Sequence, residues 1–254
     1  MTSRGFAERA LVLAGGLGTR LAGLLPDRPK VLAPVAGRPF LELLVEELAR
    51  HGFRRFVLLL GSRAEQVQEH VASRRGVWPS GIELEVSVEP SPLGTAGAVK
   101  LAERFCDGRF LLANGDTYFD LDAAALVRAH EQARPLVTIA AATVDDADRY
   151  GRLQVSAEGL VERFREKDAA AGPGLINAGI YLIEPALLAY IPAGRPVSLE
   201  SEVFPGLLAA GQRLAVSAQT GTFFDIGTPS SYASFAEFYR GKTSAYPHRK
   251  GGPS

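Results

Sequence analysis

Ala10-Leu11-Val12-Leu13-Ala14-Gly15-Gly16-Leu17-Gly18-Thr19-Arg20 is the stretch that organises the rest of the chain. Five consecutive apolar residues, too few for a helix, predict a buried strand at 10–14. The glycines that follow permit positive φ and close backbone approach, so successive amides can converge on one anion. Arg20 adds a planar fork able to bridge two phosphate oxygens, and Lys30, behind Pro29, adds a mobile point charge. A strand, a glycine loop and two cations suit a triphosphate. Two well-known phosphate loops do not fit. No Gly-Lys-Ser/Thr follows Gly15 or Gly16 at the Walker distance, and Leu21 stands where the dinucleotide fingerprint needs its third glycine. Taken without the rest of the chain, the segment also reads as a tight strand–loop turn with surface cations.

The remainder of the first half repeats this unit. Short apolar runs at 56–60, 82–88 and 110–113 alternate with helix-period segments, the pattern of βαβ units and a parallel sheet. Pro39 opens a helix whose Leu43, Leu44 and Leu48 share a face and which Gly52 closes. Ser62 and Glu65 stand at capping-box spacing, so the next helix is expected to start near Arg63. Further helices are expected at 96–105 and 123–133, then a strand at 136–143. Beyond it, 152–155 and 160–164 read as an antiparallel hairpin, and 178–183, 215–218 and 223–226 as strands. Helices are expected at 201–210 and 230–239. The fold class is α/β: one Rossmann-like domain over 1–241, with a mixed, mainly parallel central sheet flanked by helices, and a loose polar tail over 242–254.

Composition narrows the function. The 254 residues are 46% hydrophobic and 22% charged, as in ordinary globular proteins. Lysine plus arginine equals aspartate plus glutamate at 28 each, so no electrostatic footprint for nucleic acid or an anionic membrane exists. Cys106 is the sole cysteine, which excludes an internal disulfide and cysteine-ligated metal centres and fits a cytoplasmic location. The 10–14 run is too short for a signal peptide or a membrane span. The four histidines form no HxxxH or HxH pair, and Gly-x-Ser-x-Gly is absent, so zinc-protease and serine-hydrolase chemistry have no support.

Two acidic positions remain as metal candidates. Asn114-Gly115-Asp116 follows the 110–113 strand at the end where open α/β sheets bind ligands, and Phe224-Asp225-Ile226-Gly227 repeats that setting far downstream. Magnesium is held by one or two carboxylates plus substrate phosphates, and Asp116 with Asp225 would suffice. Each also has a plain reading, Asp116 as a turn residue and Asp225 as an acid before a helix. Asp120-Leu121-Asp122 is a competing Asp-x-Asp motif, as glycosyltransferases use, but its place before an alanine-rich helix favours capping. Glu89-Pro90-Ser91-Pro92-Leu93-Gly94-Thr95 leads into a helix start, where Gly94 amides and the Thr95 hydroxyl can meet a polar ligand. Tyr150-Gly151, Glu166-Lys167 and Asn177-Ala178-Gly179 form another group. A lysine beside a carboxylate can neutralise a sugar phosphate while the acid accepts from hydroxyls.

These motifs, in this order, resemble the nucleoside-diphosphate-sugar pyrophosphorylases, the sugar-1-phosphate nucleotidyltransferases, over roughly residues 10–239. The resemblance rests on Gly15-Gly16-Leu17-Gly18-Thr19-Arg20 followed by Pro29-Lys30, and it implies that enzyme activity. It implies nucleotide binding by Leu13, Ala14, Gly15, Gly16, Gly18, Thr19, Glu89, Gly94, Thr95, Asn114 and Gly115, with catalytic phosphate contacts from Arg20 and Lys30. It implies a sugar-phosphate pocket of Tyr150, Gly151, Glu166, Lys167 and Asn177, and Mg²⁺ on Asp116 and Asp225. Within the family the segments look most like the D-glycero-α-D-manno-heptose 1-phosphate guanylyltransferases, which implies GTP and a sugar 1-phosphate as partners and a place in polysaccharide synthesis. The mannose-1-phosphate guanylyltransferases are similar, and uridylyl and cytidylyl relatives share the frame. Pro29-Lys30-Val31 departs from the Pro-Lys-Pro of many relatives. Two rivals stand beside this reading: a metal-dependent glycosyltransferase using Asp120 and Asp122, and a catalytically silent regulatory subunit. Oligomeric state is left open, a homo-oligomer included.

Overall fold

The computed structural model describes residues 8–245 apart from 17, 22, 75, 77, 148, 149, 151 and 166–171. The strands are β1 (Arg9–Leu13), β2 (Pro34–Val35), β3 (Arg38–Pro39), β4 (Arg55–Leu60), β5 (Glu83–Val88), β6 (Phe110–Asn114), β7 (Thr117–Phe119), β8 (Val137–Val144), β9 (Arg152–Val155), β10 (Val161–Arg165), β11 (Gly174–Ile183), β12 (Leu214–Gln219) and β13 (Phe223–Asp225). The α-helices are α1 (Phe40–Arg50), α2 (Ala64–Ser73), α3 (Gly94–Leu101), α4 (Ala123–Ala133), α5 (Phe204–Ala209) and α6 (Pro229–Ala245).

β1 lies in the middle of the main sheet, parallel to β4 on one side and β6 on the other. The order is β10-β9-β11-β6-β1-β4-β5, with β8 on the far edge of β11 and β12 beyond it. β11 runs antiparallel to β6, β8 and β9, and β10 antiparallel to β9; the other pairings are parallel. Seven of the nine strands therefore point one way. Side chains alternate across a strand, which splits the core in two. Ala10 and Val12 face α1, α2, α4 and α6 through Phe40, Val67, Leu126 and Phe235, while Leu11 faces α3 and α5 through Val99 and Phe204.

Several local expectations are corrected. α2 has no capping box: Arg63, at φ 59°, is its N-cap with no side-chain hydrogen bond, and the Ser62 amide instead donates to the Gly15 carbonyl at 3.3 Å. The helix expected at 96–105 starts earlier, at Gly94, ends at Leu101, and gives way to a 3-10 turn at Glu103–Phe105. The helix expected at 201–210 is a π turn over Leu199–Val203 that becomes α-helical only at Phe204. Pro205 lacks the amide that would continue an α ladder back to Ser201. The last helix extends through Ala245, past the expected tail boundary, because Lys242 is anchored: its Nζ donates to the Tyr118 hydroxyl at 2.6 Å and lies 5.3 Å from that ring's centre.

Candidate active site

Because β1, β4, β5 and β6 are parallel, their carboxyl ends release Gly15, Gly61, Glu89 and Gly115 on one side of the sheet. Asp116 follows there. Asp225 is delivered to the same place by a small second sheet: β13 pairs antiparallel with β7, Asp225 opposite Thr117, and the Ile226 amide donates to the Asp116 carbonyl at 2.9 Å. The two acids are thus fixed by backbone pairing, whatever their side chains do.

Lys30 lies between them. Its Nζ is 2.6 Å from Asp116 Oδ2 and 3.9 Å from Asp225 Oδ1, so those oxygens are at most about 6.5 Å apart. The lysine side chain is only 14% exposed, which strengthens its hold on both. A methyl group on Gly18 would touch Lys30 Cβ at 3.4 Å, so the glycine loop runs directly alongside. The Asp-x-Gly spacing has its own cause: Asp225 Oδ1 accepts from the Gly227 amide at 2.6 Å.

Beside the acids is a cavity of about 420 Å³. Leu13, Ala14, Gly15, Gly16, Lys30, Glu89, Gly94, Thr95, Asn114, Gly115 and Asp116 line it, so nearly all the nucleotide positions expected from sequence meet here. Gly18 lies outside the lining, against Lys30; Arg20 is exposed on a 3-10 turn that begins at Thr19. Pro92, from the expected Glu89–Thr95 segment, lines it too; Val31, Leu59, Ser62 and Ala98 also line the cavity and were not expected. Leu59 was in principle legible, because the parallel register sets it beside Leu13. Glu89 closes one wall: its Oε2 accepts from the Leu93 amide at 3.0 Å, and its Oε1 lies so near Gly61 that a methyl there would be 2.3 Å away.

The start of α3 is occupied by protein. Val197 O accepts from the amides of Ala96 at 3.0 Å and Gly97 at 3.4 Å. Gly94 is obligatory beneath it: φ is +70°, and a Cβ would lie 2.5 Å from Val197 O. The Thr95 hydroxyl accepts from the Leu199 amide at 2.8 Å and donates to Glu200 at 2.9 Å. Thr95 therefore lines the cavity while its hydroxyl is turned to the 197–200 segment rather than to a ligand.

On the other side, Asn177 sits at an irregularity of β11, just past the level where β6 ends. Its Oδ1 accepts from the Gly179 amide at 2.9 Å and its Nδ2 donates to the Tyr181 hydroxyl at 2.8 Å. Tyr150 stands edge-on to Phe223, ring centres 5.2 Å apart, two residues before Asp225. Gly151, Glu166 and Lys167 lie outside the described residues. Asp122 is a cap: its Oδ1 accepts from the Ala125 amide at 2.8 Å, so the Asp-x-Asp rival loses a ligand. Among the described residues no three or more His, Cys, Asp or Glu side chains cluster as a metal cage, and no helix is long and apolar enough to cross a membrane.

The family profile described as nucleotidyl transferase matches residues 9–242. The D-glycero-alpha-D-manno-heptose 1-phosphate guanylyltransferase of Campylobacter jejuni is 33% identical over 227 residues, covering 89% of this chain and 98% of that protein. The mannose-1-phosphate guanylyltransferase catalytic subunit beta of Drosophila pseudoobscura is 35% identical over 234 residues, covering 91% of this chain and 62% of its own length. The chain thus spans under two thirds of that longer relative. Among solved structures, HddC from Yersinia pseudotuberculosis, also seen complexed with GMP-PN, superposes with a TM-score of 0.80 at 31% identity, covering 91% of this chain and 99% of that one.

Proposed function

This chain belongs to the nucleotidyl transferase family and is a sugar-1-phosphate nucleotidyltransferase, and from that premise we propose that it transfers GMP from GTP to D-glycero-α-D-manno-heptose 1-phosphate in the cytoplasm. A GDP-sugar and pyrophosphate are the products. One observation carries the reading: Asp116 and Asp225 both lie against Lys30, and Lys30 and Asp116 line a cavity built on the glycine loop. The guanylyl relatives support GTP, and so does Glu89. Its carboxylate only accepts hydrogen bonds, and the Watson–Crick edge of guanine offers two adjacent donors. Uracil offers one donor between two carbonyls, which a carboxylate repels.

An oxygen of the sugar phosphate attacks the α-phosphorus of GTP, the bond to the bridging β-phosphate oxygen breaks, and pyrophosphate leaves with its electrons. Such chemistry leaves the protein positioning and charge neutralisation. Lys30, held by two carboxylates in the free enzyme, moves to the α-phosphate; Arg20 faces the departing pyrophosphate; Lys167 receives the sugar phosphate, whose sugar is bounded by Tyr150, Gly151, Glu166 and Asn177. The two aspartates fit Mg²⁺: they are hard oxygen donors, too few for a full shell, and a cationic ammonium already rests between them. Mg²⁺ held there would neutralise phosphate charge and reduce repulsion between the two anionic substrates.

The test is a pyrophosphate-release screen of the four ribonucleoside triphosphates against heptose 1-phosphate and mannose 1-phosphate. GTP with the heptose substrate is expected to be best. Release with UTP alone would remove the guanine assignment, and no release with any pair would remove the acceptor assignment.

A further inference from the structure

Three hydroxyl groups converge on Glu200. Thr95 Oγ1 donates to its Oε2 at 2.9 Å, Ser198 Oγ to the same oxygen at 3.2 Å, and the Tyr181 hydroxyl to Oε1 at 2.9 Å. The direction of every bond is fixed from both ends. A carboxylate only accepts, and each hydroxyl has its acceptor side taken by an N–H: Leu199 N at 2.8 Å on Thr95, Ser201 N at 3.2 Å on Ser198, and Asn177 Nδ2 at 2.8 Å on Tyr181. The other end of the Asn177 carboxamide is held in the same sense by the Gly179 amide, which can only donate to its Oδ1. Tyr181 is fully buried, its ring 5.4 Å from that of Phe204, and burial together with Glu200 pushes its phenol well above the ordinary range, so it stays a donor. Glu200 itself sits in the π turn over Leu199–Val203, a local geometry that recurs at functional positions.

We propose that Glu200, acting through Tyr181, is a positioning residue that anchors the Nδ2 end of Asn177, so that this carboxamide, its oxygen held by Gly179, presents its second N–H to an oxygen of the sugar 1-phosphate, while through Thr95 the same carboxylate ties the sugar side of the site to the nucleotide side. This rests on the reading of Asn177 as a sugar-phosphate contact. The chain of donors has no slack. A glutamine at 200 must turn its NH₂ toward Tyr181 or toward Thr95 and Ser198, and either way a donor meets a donor. Removing the Tyr181 hydroxyl frees the Asn177 amide from its partner without disturbing Thr95.

The experiment is a set of steady-state measurements on Asn177→Ala, Tyr181→Phe, Glu200→Gln and the Asn177→Ala/Tyr181→Phe double variant. Heptose 1-phosphate is varied at saturating GTP, and GTP affinity is measured by calorimetry without sugar. Tyr181→Phe and Glu200→Gln are expected to lower kcat/KM for the sugar phosphate about tenfold or more, the loss typical of a strong hydrogen bond. Tyr181→Phe leaves GTP affinity within about twofold, which a general folding fault would not. The double variant is expected to be no worse than Asn177→Ala, because both changes break one interaction. Additive losses, or a silent Tyr181→Phe beside an impaired Asn177→Ala, would overturn the relay while leaving Asn177 as the contact. A silent Asn177→Ala would overturn that contact and the relay with it. Should Glu200→Gln not fold, Tyr181→Phe alone decides between these outcomes.

Discussion

Gly227→Ala places a methyl group where the structure has room only for the Asp225 carboxylate. The new carbon would lie 2.7 Å from Oδ1 and 3.0 Å from Oδ2, and ordinary contact begins near 3.4 Å. The carboxylate must therefore retreat by roughly 0.7 Å, stretching its bond from the Gly227 amide. Gly227 is not among the residues with positive φ, so alanine adds no backbone strain. The damage falls on one of the two proposed Mg²⁺ ligands, and a misplacement approaching an ångström in a catalytic array lowers rate by up to about 100-fold. We expect kcat to fall between about tenfold and 100-fold, the Mg²⁺ concentration for half-maximal rate to rise, and the melting temperature to move by only a few degrees. Pyrophosphate release against a Mg²⁺ series, beside a thermal melt, reads all three. Wild-type kcat with an unchanged Mg²⁺ curve would refute the claim that Asp225 Oδ1 must stay where Gly227 holds it.

Glu89→Gln exchanges an acceptor for a group that both donates and accepts, so discrimination for GTP over UTP is expected to fall by about tenfold or more. Competition between the two nucleotides measures it, and unchanged discrimination would mean that Glu89 does not read the base. At the opposite end of the sheet, His130 is 1% exposed and bonded to Thr138 Oγ1 at 2.8 Å and Glu184 Oε1 at 2.9 Å. Burial holds its pKa below the ordinary 6.5, outweighing the Glu184 hydrogen bond. The unfolded chain binds a proton near 6.5 that the folded chain resists, so stability is full above that value and declines as pH falls through it toward the folded pKa. Urea midpoints between about pH 7.5 and about pH 5 should show this decline. His130→Gln should flatten it while lowering stability throughout, and an unchanged slope would contradict the assignment.

Much of the frame was legible because it is written locally. The 10–14 apolar run, the 123–133 helix with Asp122 before it, and the hairpin around Ser156–Gly159 all follow from period and turn chemistry. Where the chain departs from local rules, a distant partner decides. Ser62 leaves its capping position because its amide is drawn to the Gly15 carbonyl, and α3 begins at Gly94 because Val197 caps it from another part of the chain. The same holds within the site. Spacing marked Asp116 and Asp225 as metal candidates, and the resemblance paired them; the pairing itself is the work of β7 on β13, which no spacing reveals. Glu200 was missed because nothing in Ser198-Leu199-Glu200-Ser201 announces three converging hydroxyls, although Tyr181, four residues beyond Asn177 on one strand, was a readable companion.

Asp116→Asn and Asp225→Asn keep the shape of each side chain and remove its charge, so they probe the paired-carboxylate claim with the least disturbance. Pyrophosphate release should drop to background in both, with melting temperatures within a few degrees of the parent. Rates like those of the parent enzyme in both variants would contradict the account.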